Sequence, residues 1–503
     1  FGLGFYSAFM VSKKVVIDSL SWQEGAVAVK WECEGNPEYK MSEGKRDHRG
    51  TTITLYLDDE SAEYADSYKI ESLLGKYCKF MPVPIVFGKE KEWKDGKYVD
   101  TDKDHIINNC EPIWTTKPTE LTEEDYLKFY KELYPLADDP LFHIHLNVDY
   151  PFNLTGILYF PKIKDKIELS RHKIQLFCNQ MYVTDYVENI VPEYMTLLHG
   201  VIDSPDIPLN VSRSYLQSDA NVKKISTYIS KKVADKLEEI SKDSKEEFQN
   251  KWDNLKIFIE YGMLTDEKFC EKAMNFSLFK NTDGQYFSYP DYRKAIEANQ
   301  TNKDKKVVYL YSSDPVGQYQ YIEAAKNRGY DVLIMDCPLD SHFVGLLEQK
   351  IENSVFARVD ADVLEKLIEK EELSKVEMSE DEKKHLTEVF ESMLPKENKY
   401  TVSMENLGAT GEPIVITQSE FMRRYREMAA VSGGMNFYGE MPDSYNITVN
   451  AENPIIRKIK DSEQGFSADN TLLKQVTDLA LLANGMLKGK ELNEFIKRSQ
   501  NLL

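Results

Sequence analysis

A chain of 503 residues exceeds what one hydrophobic core organises and calls for about three domains. Its 42% hydrophobic and 29% charged residues exclude a disordered or collagenous chain, and its formal charge of −21 argues against nucleic acid as the main partner, since phosphate binding draws on clustered Lys and Arg. No apolar run approaches the roughly 20 residues that would span a bilayer, so no membrane association and a cytoplasmic location are expected.

The chain opens FGLGFYSAFM, a Gly-rich turn running into a helix, and reads as an N-terminally truncated piece of a longer protein. Alternating runs at 15–22, 26–33 and 51–57 predict strands, residues 61–80 predict a helix, and PVPIVFG predicts a further strand, giving a partial α+β domain over 1–88. Residues 89–110 turn polar, show neither period, and read as a charged linker. A second unit, 111–375, holds a helix in TEEDYLKFYKELY, strands around FHIHLNVDY, TGILYFP and KIQLFCNQMYV, a long helix from about Ser212 to Ile240, and a βαβ-like piece carrying VVYLYSS and YDVLIMD without a phosphate fingerprint. After a charged stretch, the unit 376–503 has strands KYTVSMEN and SYNITVN and helices through EFMRRYREMAA and TLLKQVTDLALLANGML.

Several stretches carry chemistry of their own. Gly2 and Gly4 let backbone amides approach an anion at a helix start, with Phe5 beside them; the same pattern also serves a tight turn packing a helix on a sheet. In DIPLNVSRSYLQ, Ser212 is a good N-cap, which puts Arg213 in a first turn, where a cation opposes the helix dipole, and Gln217 on the same face. Either Arg213 is functional or it pairs with Asp203 or Asp206. His143 and His145 share one strand face, too few for a metal site, and the six cysteines form no CxxC pair, so no metal is expected. Met435, Phe437, Tyr438 and Met441 sit on a Gly-rich segment suited to varied apolar contacts or to folding back on the core. Leu472, Val476, Leu479, Ala483 and Met486 form one apolar stripe, and Leu492, Phe495 and Ile496 belong to a second, terminal one that includes Leu503; such helices dock within the monomer or across a dimer.

Taken together, FGLGFYS, RGTTITLYL (49–57), PIWTTKP with EEDYLKFYK, and VIDSPDIPLNVSRSYLQ (201–217) resemble, in order, the motifs of the heat-shock protein 90 chaperone family, in particular its bacterial members. The resemblance implies an α+β multidomain chain: the C-terminal part of a GHKL (Bergerat) ATPase sandwich, an α/β middle domain of ribosomal protein S5-like type, and a mixed α/β C-terminal dimerisation domain. It implies ATP with Mg2+ as the parent's cofactors, amides of Gly2, Leu3, Gly4 and Phe5 toward the phosphates, Thr51 near the adenine, and Arg213 with Gln217 at the γ-phosphate. The family's catalytic glutamate, magnesium-binding asparagine and adenine-reading aspartate precede the lid motif, so this piece by itself is expected to lack most of the ATP site. Met435, Phe437, Tyr438 and Met441 would contact partly unfolded clients, the two terminal stripes would form a homodimer, and the 70-kDa heat-shock chaperone system would be a further partner. Where relatives read Tyr-Val-Arg-Arg-Val-Phe, this chain has Asn179 and Gln180 at the basic positions, and its Asn-Leu-Leu ending lacks the acidic tail read by helical-repeat co-chaperones. An ATP-independent holdase and another GHKL ATPase, of mismatch-repair or topoisomerase type, are the alternative readings.

Overall fold

The computed structural model describes residues 4–94, 96–163, 173–187, 190–207, 220–370, 376, 378–396, 398–418, 423–424 and 444–502. Two compact units divide between Lys236 and Leu237, inside the helix Ala220–Asp243.

In the first unit, strands β1 (Ser12–Leu20), β2 (Val29–Cys33), β3 (Tyr39–Glu43) and β4 (Gly50–Leu57) form an antiparallel sheet in the order β3-β2-β1-β4. Val15 and Val16 of β1 are buried, while β3 is exposed throughout and β4 nearly so. Asp66 caps the helix Ser67–Tyr77 by accepting from the amides of Tyr68 and Lys69.

Within the stretch read as a charged linker, 89–110, most residues belong to a ribbon of β5 (Val86–Lys94) and β6 (Lys97–Ile106). Its sequence hides the pairing because both faces are solvated, so no apolar period develops. The Asp-Gly step at 95–96 is nevertheless a hairpin signal, and Trp93 meets Tyr98 edge to face at 4.8 Å.

A five-stranded sheet follows: β7 (Phe142–Val148), β8 (Leu154–Phe160), β9 (Lys173–Cys178), β10 (Met181–Thr184) and β11 (His199–Asp203), ordered β10-β9-β11-β8-β7. Only β9 and β11 pair in parallel. Gly200 permits the close approach of β11 to β8: its φ is +131°, and a Cβ there would lie 2.0 Å from the Ile157 carbonyl oxygen. The helix Glu123–Leu133 starts with a capping box between Thr122 and Asp125, and it buries Tyr126, Phe129 and Tyr130 with Phe80, Trp114, Tyr159 and Phe177 in one aromatic-rich core.

The second unit continues with helices Lys245–Thr265 and Glu267–Ala273 and the hairpin β12 (Leu278–Lys280) and β13 (Tyr286–Ser288). The βαβ expectation becomes a three-stranded parallel sheet, with β14 (Val307–Ser312) between β15 (Val332–Ile334) and β16 (Ser354–Arg358). Last come β17 (Lys399–Glu405), β18 (Ile414–Gln418) and β19 (Ser444–Asn450), with β19 central. Helices Glu380–Met393, Pro454–Lys460, Thr471–Ala483 and Gly489–Leu502 close a core that includes Phe390, Ile447, Val449, Ile459 and Leu473.

Candidate functional site

Of the residues expected near nucleotide, Gly2 and Leu3 lie outside the described residues. Gly4 begins a 3-10 helix, Gly4–Met10, is exposed, and the space a Cβ would occupy there is open. Phe5 packs edge to face on Trp31 of β2 at 5.8 Å. Thr51 is exposed on β4, its hydroxyl 2.8 Å from that of Ser19. The turn thus sits on the β2 side of the sheet and Thr51 on its β4 side, with β1 between those strands.

Arg213 and Gln217 fall outside the described residues, as do Met435, Phe437, Tyr438 and Met441. The structure does describe the root from which the Arg213 segment departs. β11 ends at Asp203, a carboxylate only 5% exposed, whose Oδ2 accepts from Trp114 Nε1 (3.3 Å) and from the Gln180 backbone amide (2.9 Å). Burial pushes the Asp203 carboxyl above the usual carboxylate range, against the pull of these donors. Ser204, fully buried, donates through Oγ to the Asn153 carbonyl (2.6 Å), and Asp206 accepts from the Asn153 amide (2.6 Å).

Asn179 and Gln180, read as strand positions, are instead the two-residue turn between β9 and β10, with φ of 52° and 62°. Positive φ at both central residues is what a type I′ hairpin turn demands, and Asn tolerates it well. The Gln180 amide is satisfied at both ends when its nitrogen faces the carbonyls of Phe80 (3.0 Å) and Cys110 (3.2 Å).

Three histidines lie between the helix Glu123–Leu133 and the five-stranded sheet. His145 Nδ1 meets the Tyr126 hydroxyl at 2.9 Å, His143 stacks on the Tyr126 ring at 3.7 Å, and His199 Nδ1 meets the Tyr130 hydroxyl at 2.9 Å. Among the described residues no cluster of His, Cys, Asp and Glu could hold a metal ion. Burial, aided by the charge of Lys173, drives His199 down to about 4, and burial also lowers His143 and His145. A depressed folded pKa means that neutral His199 contributes stability above pH ~6.5 that is lost as pH falls toward 4, worth about 3 kcal/mol for His199. Urea unfolding at pH 7 and pH 4.5 should therefore show a smaller acid penalty in His199→Gln than in wild type, and equal penalties would refute the assignment.

In the second unit Lys256 is mostly buried, its side chain 16% exposed, with its Nζ 3.3 Å from Asp340, 3.4 Å from Asp336 and 3.9 Å from Glu260. Burial opposes its charge, but these carboxylates outweigh burial and hold Lys256 above the ordinary lysine range; burial and the Asp340 charge raise Glu260. A cavity of about 530 Å³ lies elsewhere in this unit, lined by Tyr321, Arg328, Glu365, Ile416 and Leu479 among others. The Arg328 guanidinium is paired with Glu365.

The terminal helices sort the expected interface residues into three groups. Val476 and Phe495, expected at a dimer interface, are buried in the chain's own core. Leu472, Met486 and Leu492 pack partly against that core. Leu479 (52% exposed) and Ile496 (45%) face outward, as does Ala483; Leu482 (39%), which the stripe pattern missed, is exposed as well. Gln475 to Ser499 (2.7 Å) and the Arg498–Asp478 ion pair tie the two helices together.

The chain is a mixed α/β multidomain protein in which no described helix is long and apolar enough to cross a membrane. A family model described as Hsp90 protein matches residues 94–503, and the chain belongs to the Hsp90 family. It is 51% identical to the chaperone protein HtpG of Porphyromonas gingivalis and 50% identical to that of Bacteroides fragilis, in both cases over all of this chain and 83% of the relative. The HtpG of Dechloromonas aromatica is 28% identical over all of this chain and 79% of its own length.

Proposed function

We propose that this chain acts as an ATP-dependent molecular chaperone of the Hsp90 family, binding partly unfolded proteins and coupling ATP binding and hydrolysis to their remodelling. The observation that carries this reading is half-identity along the whole chain to proteins named chaperone protein HtpG. Residues 1–88 serve as the C-terminal part of a GHKL-type nucleotide domain, 89–110 as the connection, 111–375 as the middle domain and 376–503 as the dimerisation domain.

Gly2, Leu3, Gly4 and Phe5 would line the phosphates and Thr51 the adenine; the open backbone at Gly4 fits that use. Bound magnesium supplies charge neutralisation to the triphosphate. Arg213, an obligate cation, places its guanidinium donors where phosphoryl oxygens gain charge, with Gln217 beside it. Met435, Phe437, Tyr438 and Met441 are the proposed client contacts, the 70-kDa heat-shock chaperone system a proposed partner, and the cytoplasm the proposed location.

The outward Leu479, Leu482 and Ile496 support a homodimer through the terminal helices. Leu479→Asp with Ile496→Asp should convert dimers to folded monomers in light scattering and weaken suppression of client aggregation on heating. Retention of the dimer with both aspartates present would place the interface elsewhere.

A further inference from the structure

The second unit's cavity lies where a parallel sheet places a ligand. β14 runs between β15 and β16, and the chain passes from β14 to β15 on one side and then to β16 on the other. That reversal opens a crevice beyond the carboxyl ends of β14 and β16, the position at which open α/β sheets bind small molecules. β16 ends at Arg358, and Val359, Asp362, Val363 and Glu365 of the following turn form one wall of the cavity. Tyr321 and Ala324 of the helix Tyr319–Asn327, Ile414 and Ile416 of β18, and Val476 and Leu479 of the helix Thr471–Ala483 form the others. The walls are held before any ligand arrives. The Tyr321 hydroxyl lies 2.7 Å from the Ile416 carbonyl oxygen and 2.5 Å from Asn484 Oδ1, which joins three of them. Gln318 Nε2 donates to Asp360 Oδ2 (2.9 Å) and the Gln418 amide to the Asp360 carbonyl (3.2 Å), so the turn after β16 is tied on both sides. A volume of about 530 Å³ is that of a small-molecule site.

Charge selects what this cavity accepts. Among the described residues that line it, three carboxylates, Asp362, Glu365 and Glu412, stand against one guanidinium, Arg328, and that one is paired with Glu365. An anion entering here competes with Glu365 for Arg328 and meets two further negative charges. Asp362 is the least compensated of the three. Lys366 approaches it to 3.9 Å but pairs with Glu405, and burial raises the Asp362 carboxyl above the usual carboxylate range. We propose that this cavity binds a small organic cation, its apolar body against Ile414 and Val476 and its ammonium group beside Asp362. None of the residues proposed for nucleotide or client contact lines it. Val476, Leu479 and Ala483 belong also to the terminal apolar stripe, so the variants below leave them unaltered.

Calorimetric titration of the full gene product at neutral pH with phenylbutylamine, phenylbutanol and phenylbutyrate tests this, since the three share one apolar body. One amine per chain is expected to bind, about tenfold or more tighter than the carboxylate and about threefold to tenfold tighter than the alcohol. Asp362→Asn keeps the side chain's size and its acceptor for the Val363 amide, and should remove most of the amine's advantage while leaving alcohol affinity within about twofold. Ala324→Trp, at an exposed helix position, should fill the cavity and abolish saturable binding of both amine and alcohol. If Asp362→Asn fails to fold, Glu412→Gln, at an exposed position, takes its place, with an expected loss of about twofold confined to the amine. Amine binding unchanged in Ala324→Trp would place the cation elsewhere on the acidic surface and overturn the inference. Carboxylate binding as tight as the amine's, or no saturable binding of any of the three, would overturn it as well.

Discussion

Arg213→Ala in the full gene product should lower ATP turnover by about a hundredfold to a thousandfold while leaving ATP affinity unchanged, the loss typical of deleting one preorganised donor at a developing charge. The guanidinium is delocalised, permanently charged and able to present two parallel N–H groups to phosphoryl oxygens. In the proposed role its contribution would grow with the charge of the transition state, so the loss is expected in kcat and not in nucleotide binding. Arg213→Lys keeps the charge but not the forked donors and should restore only a minor part. Isotherms for ATP and a non-hydrolysable analogue, read beside turnover, separate the cases. A parallel loss of affinity would make Arg213 a binding residue, and unchanged turnover would make it a structural residue of its own segment.

Lys256→Ala should destabilise the second unit by about 3–5 kcal/mol, the cost of leaving buried carboxylates without their cation. Lys256 reaches Asp336, Asp340 and Glu260, and Asp340 in turn holds the Cys337 amide at 2.7 Å, so the cluster joins the helix Lys245–Thr265 to the start of the helix Asp340–Lys350. Glu260 and Asp340 are almost fully buried, and one oxygen of each has no hydrogen-bond partner among the described residues. Deleting Lys256 therefore leaves Glu260 and Asp340 buried without their cation, while Asp336 remains in water. Adding Glu260→Gln and Asp340→Asn should return much of the lost stability, because neutral amides tolerate burial better than carboxylates. Urea unfolding checks both steps, and a loss below about 1 kcal/mol for Lys256→Ala would mean that water already reaches the cluster.

Much of this architecture is legible in the sequence where one face of an element meets a core. β1, β7 and β8 alternate or run apolar because they bury side chains, and Thr122 with Asp125 announces a helix start. β3 and the β5–β6 ribbon leave almost no apolar period because they are solvated, and their strand character rests on pairing alone. Asn179 and Gln180 could have been read as a turn from their position between two apolar runs, but the strand-like motif of relatives obscured it. The Asp203 hydrogen bonds were not legible, since their donors lie far off in sequence, and the same holds for Asp340 against Lys256, 84 residues away. At the C-terminus the apolar stripe predicted two docking helices, yet periodicity does not say which neighbour each residue meets: Val476 and Phe495 turn inward, Leu479 and Ile496 outward.

Reactivation of a heat-inactivated client enzyme by the full gene product, with ATP or with its non-hydrolysable analogue, bears most directly on ATP-coupled chaperoning. Recovery should exceed spontaneous refolding with ATP, and it should fall to the spontaneous level with the analogue or in Arg213→Ala. Equal recovery under all three conditions would contradict the coupling and describe a holdase that works without ATP.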